Sequence, residues 1–168
     1  MASGNTWPDE LETNLIAASP SPTWLHTNAG VNGATAASLA STINATVAPI
    51  TNNHVAALLN IGANDASAAE AAWKANVNSV LDAIHAKFPT ALVYITKPWR
   101  RDAVAAMNTL AGWIDTVVAG RAFARAGDDE RTWMEGGDNG ATNTTDGIHY
   151  SVAGQTAAAA QKQAILGY

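Results

Sequence analysis

A chain of 168 residues with a formal charge of −5 and no cysteine is long enough for one domain with a core of its own. Its few Lys and Arg argue against a nucleic-acid surface. The missing cysteines exclude a disulfide framework and a thiolate metal site, and the apolar runs are too short for a membrane span. The polar N-terminus is unlike a signal peptide, and the sequence does not place the protein in a compartment.

Apolar strand-like runs alternate with alanine-rich helical stretches, the pattern of a parallel-sheet α/β domain. A helix is predicted from Pro8 to Ala18, with Pro in the first turn. Trp24 to Thr27 reads as a strand and Ala34 to Ala48 as a helix; His54 to Ile61 is the clearest strand. From Ala66 to Phe88 the residues Ala69, Trp73, Val77, Val80, Leu81 and Ile84 recur at helical spacing, and Pro89 ends the helix. Ala91 to Thr96 is a further strand, rich in Val, Ile and Tyr. A long helix runs from Arg101 to Val118, a short strand covers Thr132 to Met134, and Val152 to Leu166 closes the chain as a helix. No repeat, linker or second domain interrupts residues 1–168.

Three blocks carry chemistry. Asp146-Gly-Ile-His149 puts a carboxylate three residues before a histidine. A His held by a carboxylate keeps one tautomer and can take a proton from a serine hydroxyl; a turn cap beside a surface histidine explains the same residues. Gly62-Ala63-Asn64-Asp65 follows the strand ending at Ile61. Open α/β sheets bind ligands at that end of their strands, where the Asn64 amide can donate to an oxyanion. Asn64 and Asp65 read equally well as caps of the next helix. The third block, Asn28 to Thr35, holds Gly30 and Gly33 ahead of a helix, which suits close approach to an anion without the lysine of a P-loop.

In this order the blocks resemble the SGNH (GDSL) hydrolases, a family of serine esterases, lipases, thioesterases and carbohydrate deacetylases. The resemblance covers nearly the whole chain. It implies a three-layer α/β/α sandwich with a mainly parallel sheet, Asp146 and His149 as the acid-base pair, and Gly33 and Asn64 as oxyanion donors. It implies no cofactor and no metal. The family's Gly-Asp-Ser block, which carries the nucleophile on the first strand, has no counterpart in this sequence; Trp7-Pro8 matches the helix that follows it. The first strand and its serine are therefore expected upstream of Met1. The neighbours of that strand would be left with unpaired backbone groups: a strand from another copy or a peptide fills the slot, the second and third strands close against each other, or the missing piece is held elsewhere, and of these a strand-exchanged homo-oligomer is the expectation.

Ser3 is the nearest replacement nucleophile, but it has no strand ahead of it and a frayed terminus explains it. Ser151 and Ser67 read as helix caps and Ser38 and Ser41 as helix surface. Trp99 and Tyr150 are candidate walls of a substrate site, with Trp133 a weaker one. His26, His54 and His85 read as structural, with no carboxylate at ligand spacing. Asp128, Asp129, Glu130 and Asp138 read as a solvated acidic loop whose spacing is not that of a calcium loop. Two function classes follow: an ester hydrolase acting on small acyl esters or acetylated carbohydrate, and a non-catalytic glycan or acyl binding module.

Overall fold

The computed structural model describes residues 6–19, 24–134 and 142–168. Contacts divide the chain into two compact units, residues 29–130 and residues 1–28 with 131–168. Ser3 and Asp138 lie outside the described residues.

In residues 29–130 helix α1 has already passed (Trp7–Ala18, in the other unit), and the unit opens with α2 (Ala36–Val47). It continues through β1 (Ala56–Asn60), α3 (Glu70–Lys87), β2 (Leu92–Lys97), a 3₁₀ turn (Arg101–Ala103), α4 (Val104–Ala119) and β3 (Ala124–Asp129). The three strands form a parallel sheet in the order β1-β2-β3, because a helix between successive strands returns the chain to the same end. Trp73, Val77, Val80, Leu81 and Ile84 are the buried face of α3, as the spacing predicts. They pack with Val93 and Ile95 of β2 and Met107, Leu110 and Ile114 of α4 in one core cluster. Full burial of each such aliphatic side chain stabilises the fold by about 1.5–3 kcal/mol.

Strand β3 escapes the sequence reading because Ala124 to Asp129 contains no large apolar residue. At Gly127 the neighbour is close: a Cβ there would stand 3.2 Å from the Ile95 carbonyl carbon, beside the register irregularity between Ile95 and Lys97. The strand expected over Thr132 to Met134 is instead the end of a short helix, α5 (Glu130–Met134).

The amide of Leu92 donates to the Val55 carbonyl at 3.1 Å. In a parallel ladder one alternate set of residues faces each neighbour, so Ala57 and Leu59 face β2 while Ala56, Leu58 and Asn60 turn their backbone groups to the other edge. No strand pairs with that edge among the described residues.

In the second unit α1 packs against α6 (Val152–Leu166). Leu11 and Leu15 of α1 and the small residues Gly154, Ala158 and Ala159 of α6 are buried. The Trp7 amide donates to Gln155 Oε1 at 2.8 Å, and Lys162 Nζ lies 4.9 Å from the centroid of the Trp7 ring, within cation–π range. The first turn of α1 is closed by Asp9, whose carboxylate accepts the Thr6 amide at 3.0 Å.

The strand expected from Trp24 to Thr27 does not form: residues 24–31 belong to no ladder. A strand needs a neighbour for its backbone groups, and this segment is fastened by side chains instead. Trp24 meets Tyr168 edge-on at 4.9 Å and donates from Nε1 to the Ser19 carbonyl at 3.2 Å. His26, expected to lack a carboxylate, has Nδ1 2.6 Å from Glu12 Oε2 and Nε2 3.5 Å from Asp9 Oδ1. The fold brings α1 alongside a residue fourteen positions from Glu12, which local spacing does not reveal. The other two histidines pack on rings, His54 on Phe88 and His85 on Phe123.

Candidate active site

The Asp146 and His149 side chains, the candidate acid-base pair, meet within the second unit. His149 Nδ1 lies 2.7 Å from Asp146 Oδ2. Asp146 Oδ1 accepts two backbone amides, from Ile148 at 2.9 Å and His149 at 2.8 Å. A carboxylate cannot donate, so the proton sits on Nδ1 and a neutral His149 keeps the Nε2 lone pair for a proton from outside. The amide of His149 first, then its ring and the Ile148 amide, hold the Asp146 carboxyl far below the usual carboxylate range. Asp146 thus closes its own turn and orients the imidazole. Gly147, with φ +92°, lets the chain reverse between them.

The turn is clasped on both sides. Thr144 and Tyr150 form an antiparallel bridge, the Thr145 amide donates to the His149 carbonyl at 2.9 Å and the Ser151 amide to the Asn143 carbonyl at 2.9 Å. Ser151 caps α6 by accepting the Gly154 amide at 3.1 Å, and its hydroxyl donates to the Thr142 carbonyl. A Cβ on Gly154 would overlap the Asn143 carbonyl oxygen, so only glycine lets α6 lie this close to the turn. Tyr150 stacks on Trp133 with centroids 6.0 Å apart, and the Asn143 amide donates to the Trp133 carbonyl at 3.2 Å.

The oxyanion candidates belong to residues 29–130. Gly33 sits in an exposed turn with φ +73°, closed by the Ala34 amide donating to the Val31 carbonyl at 3.2 Å. Asn64 is exposed and its Nδ2 donates to the Ala34 carbonyl at 3.3 Å, so the two blocks meet. Their join is a residue the spacing assigns elsewhere. Asp65, read as a cap of the helix that follows it, caps α2 instead: both carboxylate oxygens accept the Ala36 amide at 3.1 Å. Asp65 is 7% exposed. Burial pushes its carboxyl up, opposed by the Ala36 amide and by the Trp73 indole. The Trp73 indole N–H nevertheless completes no hydrogen bond.

The ends of the three strands carry a buried polar cluster. Glu130, 4% exposed, accepts the Trp99 amide at 3.1 Å and the Asn60 side-chain amide at 3.2 Å. Asp128, also 4% exposed, accepts the Thr96 hydroxyl at 2.8 Å. Asp128 and Glu130 are therefore not solvated loop residues; the end of β3 and the first residue of α5 carry them inward, where each has a donor to satisfy. Trp99, expected as a substrate wall, is 4% exposed and offers no open face; its backbone N–H is held by a hydrogen bond to the Glu130 carboxylate. Arg101 stands 6.0 Å over its ring.

No family model matches the sequence, and no curated protein matches it. Among solved structures the chain is similar to a carbohydrate esterase family 3 protein from Talaromyces cellulolyticus, with TM-score 0.73 and 17% identity over 96% of this chain and 89% of that one. It is similar to LAE5, an α/β hydrolase from the metagenome of Lake Arreo, Spain, with TM-score 0.77 and 17% identity over 98% and 84% of the two chains. It is also similar to AlinE4, an SGNH-hydrolase family esterase, with TM-score 0.70 and 18% identity over 99% and 87%.

Two outcomes follow from the dyad turn. The folded Asp146 carboxyl titrates below its ordinary value of about 3.9, so its contribution is present above that pH and lost only as pH falls through the lower folded value. A carbon-detected titration is expected to show Asp146 ionised throughout pH 5–8 and still charged near pH ~3.9, half-protonating only well below it. Gly154→Ala is expected to lower stability by about 1–3 kcal/mol through overpacking and to shift the His149 ring resonances. Denaturant melts and NMR check both, with exposed Ala153→Ser, which adds no contact, as the control.

Proposed function

We propose that this chain, which has the fold of the SGNH hydrolases, is a carboxylic ester hydrolase acting on small acyl esters or O-acetyl groups of carbohydrate. The observation that carries the reading is the Asp146–His149 pair, with Nδ1 bonded to the carboxylate at 2.7 Å and Nε2 left as the base. The esterases with the same fold support it. A serine hydroxyl attacks the ester carbonyl while His149 Nε2 takes its proton; the Asn64 amide and the Gly33 N–H hold the oxyanion. His149 then returns the proton to the departing alcohol, and water, deprotonated by the same ring, releases the acid. Tyr150, stacked on Trp133, is the remaining candidate for a substrate wall.

The serine is not assigned. Ser38, Ser41, Ser79 and Ser151 each donate to a backbone carbonyl nearby, and Ser3 lies outside the described residues. That favours a second reading, a glycan or acyl binding module without the nucleophile. A fluorophosphonate adduct located by peptide mapping separates the two. The hydrolase reading expects one labelled serine, lost in His149→Ala. Asn64→Ala should lower turnover about 10²- to 10³-fold through one oxyanion donor. Residual hydrolysis of an activated ester is not decisive, because binding and the oxyanion hole alone retain about 10³- to 10⁴-fold over water.

The open edge of β1 supports a homo-oligomer in which another copy supplies a strand. Edges without charge, proline or bulge invite such pairing, and Ala56 to Asn60 contains none of these. Light scattering is expected to give a mass above that of the monomer at micromolar concentration. Leu58→Pro removes an N–H turned to that edge and spares the β2 ladder, so it should yield monomer. A strictly monomeric parent would remove strand exchange.

A further inference from the structure

The turn that carries Asn64 is braced by the loop after β2, within the same unit. The Arg100 guanidinium is locked in the plane of the Asp102 carboxylate by two bonds, Nε to Oδ1 at 2.6 Å and Nη2 to Oδ2 at 2.9 Å. A bidentate fork of this kind fixes orientation as well as proximity. The remaining terminal nitrogen, Nη1, donates to the Ala63 carbonyl at 3.2 Å. In a trans peptide the carbonyl and the following N–H point in opposite directions. Tying down the Ala63 carbonyl therefore fixes the plane from which Asn64 departs, and with it the origin of the Asn64 side chain.

Two neighbours hold the brace in register. Pro98 presses on Gly62, where φ is +119° and an added Cβ would stand 2.9 Å from Pro98 Cγ. Glu130 takes the amides of both Trp99 and Asn60, joining this loop to the strand from which the Asn64 turn emerges. We propose that Arg100, aimed by Asp102, is a positioning residue for Asn64 in oxyanion binding. The proposal rests on the hydrolase reading for its consequence in catalysis, while the brace itself can be tested without turnover.

The experiment compares parent, Arg100→Ala, Arg100→Lys and Asp102→Asn in amide-detected NMR, amide exchange and hydrolysis of p-nitrophenyl acetate. Arg100→Ala is expected to move the Asn64 backbone and side-chain amide resonances and to speed exchange across residues 62–65 about tenfold, the effect of one lost charge-assisted bond. Lysine keeps the charge but cannot fork onto Asp102 while reaching Ala63, so Arg100→Lys should resemble Arg100→Ala. Asp102 is exposed, so Asp102→Asn provides a folded variant in which the fork is weakened and the same resonances move less. Where the parent hydrolyses the ester, kcat should fall with KM little changed, and Arg100→Ala should add almost nothing to Asn64→Ala.

Unmoved Asn64 resonances in Arg100→Ala, or full restoration by lysine, would overturn the positioning role. So would additive losses in the double variant. A parent without hydrolysis would count against the hydrolase reading, and the resonance shifts would still decide whether Arg100 sets the Asn64 turn.

Discussion

One hydrogen-bonded carboxylate organises the glycine and asparagine blocks: Asp65, buried beneath the turn it belongs to, receives the first amide of α2 on both of its oxygens. The start of a helix is electropositive and its first amides lack partners, so a carboxylate there satisfies a group that would otherwise be orphaned. Burial raises the Asp65 pKa; folding therefore favours its protonated form, and the ionised group carries a net penalty near neutrality. The cap lessens that penalty without cancelling it. Its return is geometric, because residues 29 positions apart become neighbours and the Asn64 amide reaches the Ala34 carbonyl.

Asp146 uses similar chemistry to the opposite electrostatic effect. It is exposed, surrounded by donors and stabilised as an anion, whereas Asp65 is enclosed with fewer donors. Solvent and hydrogen bonds decide the direction in each case. A stable anion beside Nδ1 would suit the proposed role of the ring, which takes a proton on its far nitrogen. The turn that presents it is fixed by a two-residue bridge, a serine cap and a glycine pressed against a carbonyl. The pair thus rests on backbone geometry rather than on burial of its own side chains.

Between β1, β2 and β3 the carboxylates of Asp128 and Glu130 serve a third purpose. Parallel strands end side by side, and the chain must leave each strand through a turn whose amides need acceptors. Glu130 answers one such need at the Trp99 amide and also takes the Asn60 side-chain amide, and Asp128 accepts the Thr96 hydroxyl. A buried acid with each of its observed donors in place can fix a loop that apolar contact alone would leave free to slide.

The sequence by itself determined the α/β class, the buried face of α3, the limits of α6 and the local Asp146–His149 pair, because each depends on residues within a turn or a few turns of one another. Helical spacing and a three-residue turn are local facts. Only the tertiary structure decided that β3 is a strand, since Ala124 to Asp129 has no apolar pattern of its own and becomes a strand by pairing with β2. The same holds for Trp24 to Thr27, whose β-like composition forms no strand without a partner ladder. Trp99 reads as an exposed aromatic, and Asp128 and Glu130 as solvated charges, until the strands carry them inward. Asp65 on α2, His26 on Glu12 and Arg100 on Ala63 join positions that spacing cannot pair. A hydrogen bond across a fold depends on where two segments arrive, and that is set by the packing of the whole unit.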